Sequence, residues 1–172
     1  GQGRATLMEL PGGKVVLMDG GGYADNRQFD MGRLVVAPVL WRKKIARVDI
    51  LILSHPNADH LNGLIYIARH FRVRELWTNG DVNTTRGYAD LMAACQQAGV
   101  VVRTMDSRAG AADFGQTALT VLHPPPGFFS QPGQIGQEVR NNGSLVVKVA
   151  HGQTAFLITG DIMVQAEQEL VD

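Results

Sequence analysis

Between Ser54 and Gly63 the chain reads Ser-His-Pro-Asn-Ala-Asp-His-Leu-Asn-Gly. Two imidazoles, a carboxamide and a carboxylate fall within this short stretch, at His55, Asn57, Asp59 and His60. All four groups can bind a metal ion, and packing alone gives little reason to gather them. In an extended segment, residues 55, 57 and 59 point the same way because side chains alternate with period two. His60 is then offset by one. His55 and Asn57 can grip one ion while Asp59 and His60 face a neighbouring one. Imidazole suits Zn, Mn or Fe, and carboxylate shifts the preference toward harder ions. A pair of ions ~3.5–4 Å apart can activate water and clamp the oxygens of a phosphoryl displacement.

The elements around the stretch must hold it. An apolar run, Val48 to Leu53 with Asp49 inside it, precedes it and reads as a buried strand. Leu61, Leu64, Ile65 and Ala68 follow at helical spacing. The stretch is therefore expected to be a strand-to-helix loop at the carboxyl end of a sheet, where ligands and catalytic groups collect. Asp161, after Thr159-Gly160 at another strand end, is a candidate bridging carboxylate. Asp19, at a strand end before Gly20-Gly21-Gly22, is a candidate to orient a histidine from behind.

Composition bounds the rest. The 172 residues suffice for one domain with a real core, and 45% hydrophobic and 19% charged residues are ordinary for a globular protein. Sixteen cations balance sixteen carboxylates, so no bulk field draws the chain onto nucleic acid or an acidic membrane. One cysteine, Cys95, excludes an internal disulfide and falls on the apolar stripe of a predicted helix. No apolar run approaches the ~18 residues of a membrane span.

Two strand runs at residues 5–10 and 14–19 flank Pro11-Gly12-Gly13, a hairpin signal. Residues 21–32 read as a loop. A helix is expected over residues 33–45, starting near Pro38 and built on Leu34, Val35, Val39 and Leu40. The helix after the 54–63 stretch runs to about Phe71, followed by a strand over 73–77. Thr84 or Thr85 caps a helix bearing Tyr88, Leu91, Met92 and Cys95, ended by Gly99. Strands follow at 100–103 and 117–123, a long loop at 124–143, and a hairpin over 145–158 around His151-Gly152. A last helix begins near Ile162. Two packed mixed sheets with helices outside, or one mixed α/β sheet, both satisfy this order. His70, His123 and His151 read as structural or solvated. The Arg42-Lys43-Lys44-Arg47 and Arg69-Arg72-Arg74 groups read as solvated faces, and Arg4 as solvated or phosphate-binding.

The stretch at 54–63 resembles the metal-binding signature of the metallo-β-lactamase superfamily. A closer resemblance is to the C-terminal domain of ComEC-type DNA-uptake proteins. It is carried by Gly1-Gln2-Gly3, Leu17-Met18-Asp19-Gly20-Gly21, the His55–Gly63 segment, Asn141-Asn142-Gly143-Ser144-Leu145-Val146 and Ile158-Thr159-Gly160-Asp161-Ile162, in the order of that family. The resemblance implies a four-layer αββα metallo-β-lactamase-like sandwich over residues 1–172. It implies two divalent ions, Zn or Mn, on His55, Asn57, Asp59, His60 and Asp161, with Asp59 or Asp161 handling the proton. Asp19, Asn141, Asn142 and Ser144 would support ligands or substrate. The implied activity is metal-dependent hydrolysis of one strand of DNA during competence-related uptake. Single-stranded DNA, membrane-spanning segments of the same parent chain and other uptake proteins are the implied partners. The parent is expected in the cytoplasmic membrane, with this domain on its outer face.

Three departures qualify that picture. Asn57 stands where relatives carry His or Asp, Arg4 where Asp is common, and Asn62 where Gly is usual. Both chain ends look cut, and relatives continue with a His-His-Gly-Ser segment. The chain is therefore expected to be a C-terminally truncated piece that holds metal weakly or not at all, with activity belonging to the intact protein. The alternatives are a degenerate DNA-binding or docking module, favoured by Asn57, and a superfamily hydrolase acting on another substrate.

Overall fold

The computed structural model describes residues 3–25, 29–130 and 136–171. Val, Leu and Ile crowd two central strands, β2 (Lys14–Met18) and β3 (Arg47–Ile52), which are almost wholly buried. They run parallel, as strands covered on both faces usually do. β1 (Thr6–Leu10) returns against β2 through a turn at Pro11–Gly13, as the hairpin signal predicted. β4 (Arg72–Thr78) and β5 (Val101–Thr104) extend the sheet in parallel, in the order β1-β2-β3-β4-β5. A second, antiparallel sheet has the order β6-β7-β8-β9, from β6 (Ala111–Phe114), β7 (Thr117–His123), β8 (Val146–His151) and β9 (Thr154–Ile158).

The alternation of side chains along β2 and β3 builds two cores at once. Leu17 and Leu51 face α1 (Ala37–Arg42), α2 (Ala58–His70) and α3 (Arg86–Ala98), with Leu64, Ile67, Leu91 and Cys95 in the same cluster. Val16, Met18, Ile50 and Ile52 face the second sheet and meet Leu119, Val121, Leu145 and Val147. Helices, sheet and sheet thus stack in layers. α5 (Val164–Val171) packs beside β7 and buries Ala166. This is the mixed α/β, two-sheet sandwich expected from the resemblance, and it excludes the single-sheet alternative. No helix among the described residues is long and apolar enough to cross a membrane.

Three expectations need correction. The helix near Pro38 starts earlier, with a π-helical turn at Gly32–Val36 that runs into α1. That wider turn rotates the register, so Val36, Ala37 and Leu40 are buried while Leu34, Val35 and Val39 face outward. β6 was not expected; its short Ala-Ala-Asp-Phe run has weak strand character and pairs only because β7 lies alongside. The presumed loop over 124–143 contains α4 (Gln137–Asn142), and its residues 131–135 lie outside the described ones, as do 26–28 of the loop over 21–32. Thr85 caps α3 by accepting from Tyr88 N, and Gly99 ends it in the left-handed region, as predicted.

Candidate metal centre

The site lies where β2, β3 and β9 end. β3 delivers Ser54 and His55, both fully buried. The chain does not stay extended through Asp59, as the alternation argument assumed. Asn57 is the N-cap residue and α2 begins at Ala58. Asp59 and His60 therefore point about 100° apart around the helix axis, and His60 folds back until its ring centroid is 4.3 Å from that of His55. The close approach of α2 to the end of β2 requires Gly63: a Cβ there would come within 1.9 Å of Gly20 O.

Asp19 is the anchor. It is buried and holds a left-handed backbone at φ 60°, unusual for a residue with a side chain. Its Oδ1 accepts from Ser54 N at 2.8 Å, and its Oδ2 accepts from Ser54 Oγ at 2.8 Å and from His60 Nδ1 at 2.8 Å. A carboxylate only accepts, so His60 carries a proton on Nδ1, which leaves Nε2 as the nitrogen that would ligate an ion. That Nε2 lies 3.2 Å from Asp161 Oδ2, carried on the turn after β9. This turn seats against β3 and β8: Gly160 has φ 58°, and a Cβ there would meet Ser144 Cβ at 2.9 Å and Ser54 Cβ at 3.0 Å.

His55 is oriented by two hydroxyls, Ser54 Oγ at 3.1 Å and Ser144 Oγ at 3.2 Å from Nδ1. Ser54 has one hydroxyl proton and gives it to Asp19. Toward His55 it can only accept, which places the His55 proton on Nδ1. Nε2 of His55 is then a buried lone pair with no partner. Burial, with the nearby His60, holds the His55 pKa down at about 3, so the ring stays neutral and able to ligate. For His60, burial alone would lower the pKa, but the hydrogen bond it donates to Asp19 and the charges of Asp19, Asp161 and Asp59 outweigh it and raise the value. The surroundings of His60 favour positive charge.

His55, His60 and Asp161 thus bring one ligand atom each to within 4.8 Å of one another. Two imidazoles and a carboxylate, one imidazole with an orphaned buried nitrogen, fit a divalent ion of the Zn, Mn or Fe class. The other proposed residues fall around this trio. Asp59 is partly exposed, its Oδ2 3.9 Å from His60 Nε2. Asn57 Nδ2 donates to Asn141 Oδ1 at 3.1 Å. Ser144 links His55 to the Asp161 turn, its Oγ accepting from Asp161 N at 3.4 Å. Asn142 braces that turn further on, its Oδ1 accepting from Met163 N at 2.8 Å. His123 supports α4 from below, donating to Asn142 O at 2.7 Å.

Two supports were missed in the sequence. Ser54 is one: its hydroxyl links Asp19 to His55, and a hydroxyl directly before a histidine is the signal for it. Arg140 donates through Nε to the wholly buried Asp81 at 2.6 Å and so ties α4 to the end of β4. No local pattern could announce a pair 59 residues apart.

A sequence model of the metallo-beta-lactamase superfamily matches residues 1–172. The chain belongs to that superfamily. Among curated proteins it is similar to ComE operon protein 3 of Bacillus subtilis (strain 168), at 27% identity over 183 residues. That match covers 100% of this chain and 22% of the relative, so the chain spans about a fifth of the relative's length. Among solved structures, a possible metal-dependent hydrolase from Veillonella parvula DSM 2008 superposes with a TM-score of 0.50 at 12% identity, covering 99% of this chain and 68% of that one. A diphosphatase of the PhnP family gives a TM-score of 0.47 at 16% identity, over 96% of this chain and 55% of that one. The chain is thus of the metal-dependent hydrolase kind typical of the superfamily, with a His-His-Asp cluster at the expected sheet edge.

Proposed function

We propose that this superfamily domain is a nuclease that degrades one strand of DNA during competence-related uptake. The observation that carries the reading is the similarity, over the whole of this chain, to ComE operon protein 3, in a chain that also assembles the His55, His60 and Asp161 cluster. In this reading those three residues hold a divalent ion, Zn or Mn. The bound ion would polarise a phosphoryl oxygen and ease deprotonation of water. Asp19 holds His60 in the ligating tautomer, and Ser54 and Ser144 do the same for His55. Asp59, partly exposed beside His60, would accept or orient the water's proton. Single-stranded DNA would be the substrate. Membrane-spanning segments of the same parent and other uptake proteins would be the partners, with this domain outside the cytoplasmic membrane.

The test is hydrolysis of end-labelled single-stranded DNA in the presence of Mn or Zn. Cleavage that disappears in Asp161→Ala supports the reading. A metal-loaded protein that leaves DNA intact removes it. One observation favours a second reading, a docking module without catalysis: the Asn57 amide is committed to Asn141 rather than replaced by a charged ligand. Retention of less than one ion per chain would favour that module.

A further inference from the structure

The first helical segment turns large apolar side chains to solvent. Its π-helical turn at Gly32–Val36 leads into α1 so that Val36, Ala37 and Leu40 are buried against the sheet. Leu34, Val35, Val39 and Trp41 are left on the outer side, all exposed. Trp41 is the most exposed of the four, at 54%, although its ring stacks on Phe71 with centroids 5.9 Å apart. Single exposed apolar residues are ordinary. Four on one side of one short helical segment form a patch, and such patches mark contact sites.

Positive charge gathers at the same place. From Gly32 to Arg47 the sequence carries five cations, Arg33, Arg42, Lys43, Lys44 and Arg47, and no carboxylate. The chain as a whole is neutral, so the imbalance is local. Arg72 joins the cluster, because Arg47 and Arg72 are register partners at the starts of β3 and β4. Lys43 is held by Glu9, and Arg47 by Asp49. Arg42, Lys44 and Arg72 are exposed and, among the described residues, form no ion pair.

The combination selects the occupant. A nucleic acid would use the cations but leave three aliphatic side chains in water. The interface of an anionic bilayer takes both. Aliphatic side chains enter the acyl boundary, an indole sits at headgroup level, and Lys and Arg meet lipid phosphates.

We propose that the outer side of the segment from Gly32 to Arg42, with the cations at its C-terminal end, docks this domain on an anionic phospholipid surface. The docking is peripheral, with the helix lying along the interface. The basic cluster sits at the start of β3 and the metal centre follows its end, so the six-residue strand separates them. The docking does not depend on the reaction proposed above.

The chain has two tryptophans, and Trp77 is only 2% exposed, so a shift in indole emission on docking reports Trp41. Phosphatidylcholine vesicles that contain phosphatidylglycerol are expected to shift this emission to shorter wavelength and to carry the protein down on sedimentation. Vesicles of phosphatidylcholine alone are expected to bind at least about tenfold more weakly, and added salt to weaken the anionic case. Two double variants, Leu34→Ser with Val39→Ser and Arg42→Gln with Lys44→Gln, are each expected to lower affinity for the anionic vesicles about ten- to thirtyfold. All four positions are exposed, and thermal melts check that the variants keep the fold. No sedimentation with anionic vesicles, equal binding to both vesicle types, or unchanged affinity in either double variant overturns the proposal. Vesicles ignored while single-stranded DNA is bound through Arg42 and Lys44 would assign the cations to nucleic acid and overturn it too.

Discussion

The two walls of the metal centre are built to different standards of rigidity. The wall made by β2, β3 and α2 is largely buried. Leu51, Ile52 and Leu64 are fully enclosed, and Asp19, Ser54, His55 and His60 are locked by hydrogen bonds within it. The wall made by β9 and the Asp161 turn is open. Phe156 and Leu157 on β9 are 67% and 54% exposed, and an apolar cleft of about 500 Å³ lies between β1 and β9, lined by Met8, Leu10, Val149 and Ile158. His55 and His60 come from the first wall, and their carboxylate partner comes from the second. The two imidazoles are thus held by buried hydrogen bonds, and their carboxylate partner sits on a half-exposed turn.

The sharpest way to break this comparison is in the cores. Leu51→Ala in β3 should cost about 2–5 kcal/mol in chemical denaturation, because the cavity cannot collapse between two packed layers. Leu157→Ser on β9 should change stability by no more than about 0.5 kcal/mol. Equal losses at the two positions would mean that the walls are equally supported.

The next effect concerns Asp19. Asp19→Ala leaves Ser54 N without its partner and frees the His60 ring. Stability should fall by about 1–3 kcal/mol, and zinc affinity by about 10–100-fold, as read by denaturation and by competition with a chelating dye. Asp161→Asn should weaken zinc as well, but should move the stability of the metal-free protein by no more than about 0.5 kcal/mol, since its backbone bond to Ser144 survives. If Asp161→Asn unfolded the metal-free protein, the open wall would be stiffer than its exposure suggests.

The smallest effect should come from pH. His123 is buried, and burial holds its pKa below the ordinary 6.5 despite the bond to Asn142 O. The unfolded chain therefore takes up a proton first as pH falls, and this contribution to stability is present above pH 6.5 and lost below it. His123→Gln should flatten the decline between pH 6.5 and 5.5, measured as denaturation midpoints, by less than the Asp19 effect.

Much of this was legible in the chain because it is local. The strand runs, the hairpins at 11–13 and 151–152, the Thr85 cap and the Gly99 stop depend on neighbouring residues, and the structure agrees with them. The His55–Gly63 stretch marked the place of the site for the same reason. The register of α1 was not legible, since a π-helical turn shifts the face without a distinct sequence signal. Nor was β6, whose pairing comes from its neighbour.

The sequence by itself pointed to His55, His60 and three carboxylates, Asp19, Asp59 and Asp161, near the carboxyl ends of strands, because strand and helix periodicity are properties of short segments. Which atoms meet was decided only by the tertiary structure. The start of α2 at Ala58 turned His60 toward His55, the β9 turn brought Asp161 to it across 101 residues, and Arg4 reached Gly160 from the segment before β1. Those contacts depend on how two sheets stack, and no spacing along the chain encodes that directly.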